Sequence, residues 1–237
     1  SFEALNDSLK SHSIIQYDWL FDVFCKKKNF HKVHPGRYLL DSSMNLNSMV
    51  NMLRAGNQCP LSIIFNNSSN LHDLASKLSP QMEADSAEFV SAFMDSTFLH
   101  LENLDIASIR KLFIPNTYQV YWTITPKDFL ERMQKEYDRF WSPQRLSKAK
   151  KIGLSPHEVS VLASIVQKET SKVDEQPTVA GLYLNRLNQG MKLQSDPTVI
   201  YAMKEKYGFE FQVKRVLKKD LKIKSAYNTY INNGLPP

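Results

Sequence analysis

Residues 155–170, Ser-Pro-His-Glu-Val-Ser-Val-Leu-Ala-Ser-Ile-Val-Gln-Lys-Glu-Thr, constrain this chain more than any other stretch. They read as one helix with a defined start. Ser155 is placed to cap, Pro156 suits the first helical position, and Glu158 completes a Ser-x-x-Glu capping box. Val159, Leu162, Ile165 and Val166 recur at helical spacing and make one apolar face. Glu169 follows Ile165 by four residues and Leu162 by seven, so the spacing predicts it in the middle of that face, in the last turn. Carboxylates are seldom buried unless something pairs with them or uses them. Burial favours the protonated carboxyl, and the negative end of the helix adds roughly 0.3–1 kcal/mol in the same direction. A group so placed can act as a general acid near neutral pH. The same spacing also allows a Glu169 that turns to solvent at a frayed helix end, and the pattern leaves both readings open.

The rest of the chain bounds the problem more loosely. Its 237 residues suffice for one large domain or two small ones. A net charge of +6 suits a polyanionic partner only weakly. No run of about 18 apolar residues occurs, so no segment reads as a membrane span. The chain opens inside an apparent helix, which predicts a segment upstream of Ser1. Cys25 and Cys59 lack metal spacing; a disulfide or two unpaired thiols are both open. The histidines form no HExxH or other ligand pair, so no metal and no cofactor are expected.

Along the chain, residues 1–29 are predicted helical, followed by a Pro35-Gly36 turn and a short strand over 37–40. A helix carrying Leu46, Met49, Val50 and Leu53 ends at Gly56. Residues 61–65, between Pro60 and Asn66-Asn67, read as a buried strand. Helices are predicted around Leu71, Leu74 and Leu78, from Asp85 onward, and over 104–112; a strand over 118–122; and a long helix from Pro126. These look like two small α+β units in series. Residues 142–153 are polar and basic, with Ser142-Pro143 and Gly153 as breakers, and a domain boundary is placed there. Further helices start near Pro177 and Pro197, separated by an extended 191–194. Residues 204–224 hold eight Lys/Arg against three acids. A solvated helix face explains that run better than a nucleic-acid site, since no nucleic-acid fold signature accompanies it.

Several motifs then occur in one order: Ala163-Ser164-Ile165-Val166, Lys168-Glu169-Thr170, Val179-Ala180, Asn185-Arg186-Leu187, Gly190-Met191, Leu193-Gln194, Asp196-Pro197-Thr198-Val199-Ile200-Tyr201, Tyr227-Asn228-Thr229-Tyr230 and Gly234-Leu235-Pro236-Pro237. Together they resemble the MltG-type endolytic murein transglycosylases, the YceG-like family. Leu112-Phe113-Ile114-Pro115-Asn116-Thr117-Tyr118 is similar to the segment before that family's catalytic region. Residues 1–111 match in pattern only and correspond to its LysM-like module. The resemblance therefore implies an α+β chain in three parts. LysM-like modules fill 1–111, a connecting strand and long helix 112–153, and a mostly helical catalytic domain 154–237, expected to continue past Pro237.

The resemblance also implies a bacterial lyase of cell wall biogenesis and degradation. Its substrate would be peptidoglycan, cut between N-acetylmuramic acid and N-acetylglucosamine of nascent glycan strands with a 1,6-anhydro end formed. It would act as a terminase of strand elongation, with cell-wall synthases as partners and no nucleic acid. A single-pass anchor upstream would hold it in the cell inner membrane, with this chain on the periplasmic side. The family's catalytic residue falls on Glu169. Gln167 stands where many members have a second Glu, which sharpens that choice. Glu175, Arg186, Gln194, Asp196, Tyr227, Asn228 and Tyr230 are the candidates for holding substrate. Bland roles stay open beside these: a helix cap for Asp196, an ion pair for Arg186, core tyrosines, a turn at Asn228. Two other classes remain. One is a two-carboxylate hydrolase using Glu169 with Glu175 or Asp196; the other is a non-catalytic wall-binding protein.

Overall fold

The computed structural model describes residues 1–65, 68, 70–102, 104–106 and 108–237. The chain is α+β, mostly helical with one two-stranded sheet. Its elements run α1 (Phe2–Ser11), α2 (Asp18–Lys27), α3 (Leu46–Ala55), β1 (Leu61–Phe65), α4 (Leu71–Leu78), α5 (Ser86–Phe93), α6 (Ser96–Leu101), β2 (Asn116–Val120), α7 (Pro126–Phe140), α8 (Pro143–Lys151), α9 (Pro156–Glu169), α10 (Gln176–Asn188) and α11 (Asp196–Tyr207). They form two compact units: Ser1–Ala92 with Pro115–Leu130, and Phe93–Ile114 with Glu131–Pro237. These units interleave along the chain.

In the first unit, α1, α2 and α3 close over Leu9, Phe21, Cys25, Phe30, Met49, Val50 and Leu53. Phe2 lies parallel to Phe21 and edge-on to Phe30, at 6.3 and 5.6 Å between ring centroids. Gly56 ends α3 with φ of 69°, a conformation that residues with a Cβ rarely adopt. Residues 37–40 are not a strand. They contribute one acceptor, the Arg37 carbonyl to the Cys59 N–H, and no ladder partner. Strands β1 and β2 pair antiparallel, with Ile63 opposite Tyr118. Only one face of β1 is covered: Leu61, Ile63 and Phe65 are buried, while Ser62 and Ile64 are exposed. Phe65 stacks on Tyr118, and Phe129 meets both Phe65 and Phe89 edge-on. Asn66 and Asn67, the expected boundary after β1, lie outside the described residues. So does Ala107, within the helix expected over 104–112, of which 108–112 form a 3-10 turn. That turn and the helix α6 before it, capped by Asp95, belong to the second unit.

In the second unit α9 is the centre. Leu162, Ile165 and Val166 pack with Tyr183 of α10 and with Leu193, and Leu154, Val179, Leu187 and Leu235 close the edges. Residues 142–153 prove to be mostly helix α8. Pro143 sits in its first turn, and Gly153, with φ of 71°, lies just past its end. The supposed breakers are therefore the start and stop of one short helix. Of the basic run over 204–224, Lys204 and Lys206 lie in the last turn of α11, and most of the rest is not on a helix face. Residues 208–219 are turns and irregular chain, and Lys214, Arg215, Lys218 and Lys219 are exposed there.

Candidate active site

Ser155 Oγ accepts the Glu158 N–H, and Glu158 Oε2 accepts the Ser155 N–H at 2.8 Å, so α9 starts with the expected capping box. Thr170, with φ −138° and ψ 137°, ends it. Glu169 is its last helical residue. The burial expected of Glu169 is not found: the side chain is exposed. It points along the apolar side, but α9 outlasts its core by one turn, and Ile165 and Val166 are the last residues covered. The carboxylate instead sits at the rim of the core, where Oε2 accepts the Ser195 hydroxyl at 3.0 Å.

Ser195 is itself 1% exposed and precedes α11. It occupies the cap position, yet its side chain makes no cap bond. Asp196, considered above as the cap, is the first helical residue and caps nothing; its Oδ1 accepts the Tyr230 hydroxyl at 2.6 Å. Burial pushes the Tyr230 phenol up to about 12, helped by the bond and charge of Asp196 and by the charges of Glu169 and Tyr183. Burial also raises the Tyr183 phenol. The Ser195 hydroxyl opposes that rise, while the charge and hydrogen bond of Glu169 add to it. Glu169, Ser195, Tyr183, Asp196 and Tyr230 thus form one constellation, drawn from α9, α10, the start of α11 and the C-terminal loop.

Arg186 and Gln194 lie beside it: the Arg186 charge acts on the Tyr183 phenol, and Gln194 precedes Ser195. Arg186 Nε donates to the Lys192 carbonyl at 2.8 Å, and Nη2 donates to Gln194 Oε1 at 2.5 Å. Gln194 is not extended as expected. Its φ is +56°, left-handed for a residue with a side chain, and its N–H donates to the Thr229 carbonyl. Such outliers persist where surroundings over-determine them, and they cluster at functional sites.

The remaining candidates are engaged elsewhere. Glu175 is exposed, its carboxylate held by Lys172 first and by the Thr170 hydroxyl second, and these bonds keep it below the usual carboxylate range. Tyr227 packs on Tyr201, whose hydroxyl accepts from Arg110 at 2.7 Å. Asn228 is fully buried; its amide donates to the Leu221 and Ile223 carbonyls and its oxygen accepts the Tyr230 N–H. It braces the loop that carries Tyr230. Sequence reasoning missed Ser195 and Tyr183, placed respectively at a helix start and on an apolar face. It also missed the buried hydroxyls of Thr198 and Thr229 behind them. Among the described residues no three His, Cys, Asp or Glu gather as metal ligands.

Comparison with known proteins finds relatives that match over the whole of this chain. The chain is 27% identical over 253 residues to a Bacillus subtilis protein named endolytic murein transglycosylase, and 26% identical over 262 residues to one of that name from Streptococcus pneumoniae D39. These matches cover 100% and 99% of this chain, but 68% and 47% of the relatives. The chain thus spans about two thirds of the first relative and about half of the second. The crystal structure of a YceG-like protein from Listeria monocytogenes superposes with a TM-score of 0.61. It covers 98% of this chain and 80% of the other at 24% identity, a likeness of fold. The model of the YceG-like family matches residues 1–237, the whole sequence, and the chain belongs to that family.

Proposed function

We propose that this chain is an endolytic lytic transglycosylase of peptidoglycan, with Glu169 as its single acid and base. The observation that carries the reading is the Glu169 carboxylate, presented at the surface yet tied to the buried Ser195 hydroxyl. Around it stand two phenols and a second carboxylate, in a chain whose relatives bear that enzyme name. Glu169 gives its proton to the bridging oxygen as the bond from C1 of N-acetylmuramic acid breaks. The carboxylate then takes the proton of the sugar's own 6-hydroxyl as O6 closes on C1. One bond to C1 is exchanged for another, and no water is consumed. Because Glu169 is exposed in the free chain, the bound glycan itself supplies the water exclusion that general acid catalysis favours.

The site's open rim suits cleavage within a strand, which would end strand elongation beside the wall synthases. In this reading residues 1–111 serve as a LysM-like wall-binding module, whose strand β1 pairs with β2 of the connecting segment. No described helix is long and apolar enough to cross a membrane. In this reading a single-pass inner-membrane anchor precedes the chain, which works on the periplasmic side.

Asp196 keeps a second reading alive, because both it and Glu169 act on the Tyr230 phenol. As a two-carboxylate hydrolase the chain would release reducing ends. Digestion of purified glycan strands in 18O-water, read by mass spectrometry, tests both. The transglycosylase leaves 1,6-anhydro ends without label. Labelled reducing ends would make it a hydrolase, and uncut strands a binding protein.

A further inference from the structure

Resting on Glu169 as the acid and base, we infer that Ser195 is a positioning residue that fixes the Glu169 carboxylate. The Thr198 and Thr229 hydroxyls hold Ser195 in place to do so. The bonds allow only one assignment of protons. Thr198 Oγ1 donates its single proton to the Ser195 carbonyl at 2.7 Å. The 2.8 Å contact between the two threonine hydroxyls must then be Thr229 donating to Thr198. Thr229 Oγ1 is left as an acceptor, and the Ser195 N–H donates to it at 3.1 Å. The Thr229 N–H closes the set on Thr198 Oγ1 at 3.3 Å. Ser195 is thereby gripped at both its N–H and its carbonyl, and its own hydroxyl proton is directed onto Glu169 Oε2.

Two further facts favour a role in the reaction over one in folding. A serine before a helix ordinarily turns its oxygen back to cap the first turn, and Ser195 does not. The grip is buried, with Ser195, Thr198 and Thr229 at 1, 5 and 1% exposure, whereas the carboxylate it aims is exposed. An exposed glutamate samples many rotamers; a fixed donor selects one.

The test measures turnover on peptide-free glycan strands alongside crystal structures of the variants. Ser195→Ala is expected to lower kcat roughly 10- to 100-fold, the scale of a misplaced catalytic group, with KM changed less than about threefold. Thr229→Val, which keeps the shape and loses the hydroxyl, is expected to do the same. Thr229→Ser, which keeps the hydroxyl, is expected to recover most of that loss. In crystals, Glu169 of the Ser195→Ala protein should leave its wild-type position. Wild-type kcat in Ser195→Ala, or equal impairment by Thr229→Val and Thr229→Ser, overturns the proposal. An unmoved Glu169 in the Ser195→Ala crystal also overturns it. If wild-type protein cuts no glycan, or Glu169→Gln still cuts it, the reading of Glu169 fails instead. The crystallographic comparison then decides the positioning role alone.

Discussion

The Tyr230 hydroxyl donates to Asp196 Oδ1 at 2.6 Å, joining the C-terminal loop to the first turn of α11. The phenol, partly covered and facing carboxylates, is held up to about 12. An unfolded tyrosine ionises near 10. Below about pH 10 both states keep the proton, so the contribution of this group is complete there. Between about 10 and 12 the unfolded chain loses its proton first, and stability falls as pH rises. Tyr230→Phe should therefore narrow its stability gap from wild type above about pH 10, measured by urea unfolding. A gap constant from pH 9 to 11.5 would contradict the shift.

Asn228 was a substrate candidate by sequence, and its fully buried amide instead holds two backbone carbonyls. Leaving buried acceptors unpaired costs about 1–3 kcal/mol each. Asn228→Ala should lower the melting temperature clearly, with activity falling through loss of folded protein. An unchanged melting temperature with a raised KM would return Asn228 to the substrate.

Glu158 is held below its ordinary 4.5 by the Ser155 N–H first and the Ser155 hydroxyl second, with His157 assisting. Its contribution is complete above the unfolded value and is lost as pH falls through the folded one. Glu158→Ala should cost about 0.3–1.5 kcal/mol at pH 7 and much less at a pH low enough to protonate the folded carboxyl. Equal cost at both pH values, from denaturant melts, would remove the capping box as the cause.

Much of this was legible in the chain. The start of α9, the end of α3 at Gly56 and the family motifs all stand in short local patterns with one physical meaning each. Pro143 and Gly153 were equally local, but punctuation looks the same whether it breaks a chain or brackets a helix. The burial of Glu169 was misjudged for another reason. Periodicity gives a residue's direction around a helix axis, and says nothing of where the neighbouring core ends along it. Ser195 and Glu169 meet across 26 residues. No spacing rule reports such a contact, which exists only once α10 and α11 have packed against α9. The left-handed turn at Gln194 was hidden too, because glutamine carries no signal for it.

Glu169→Gln tests the central claim most directly. It keeps the side-chain volume at an exposed position and can still accept from Ser195, but it cannot exchange a proton. Turnover on glycan strands should fall by roughly 100-fold or more, while the melting temperature stays at the wild-type value. A folded Glu169→Gln protein that releases anhydro ends at the wild-type rate would contradict the account.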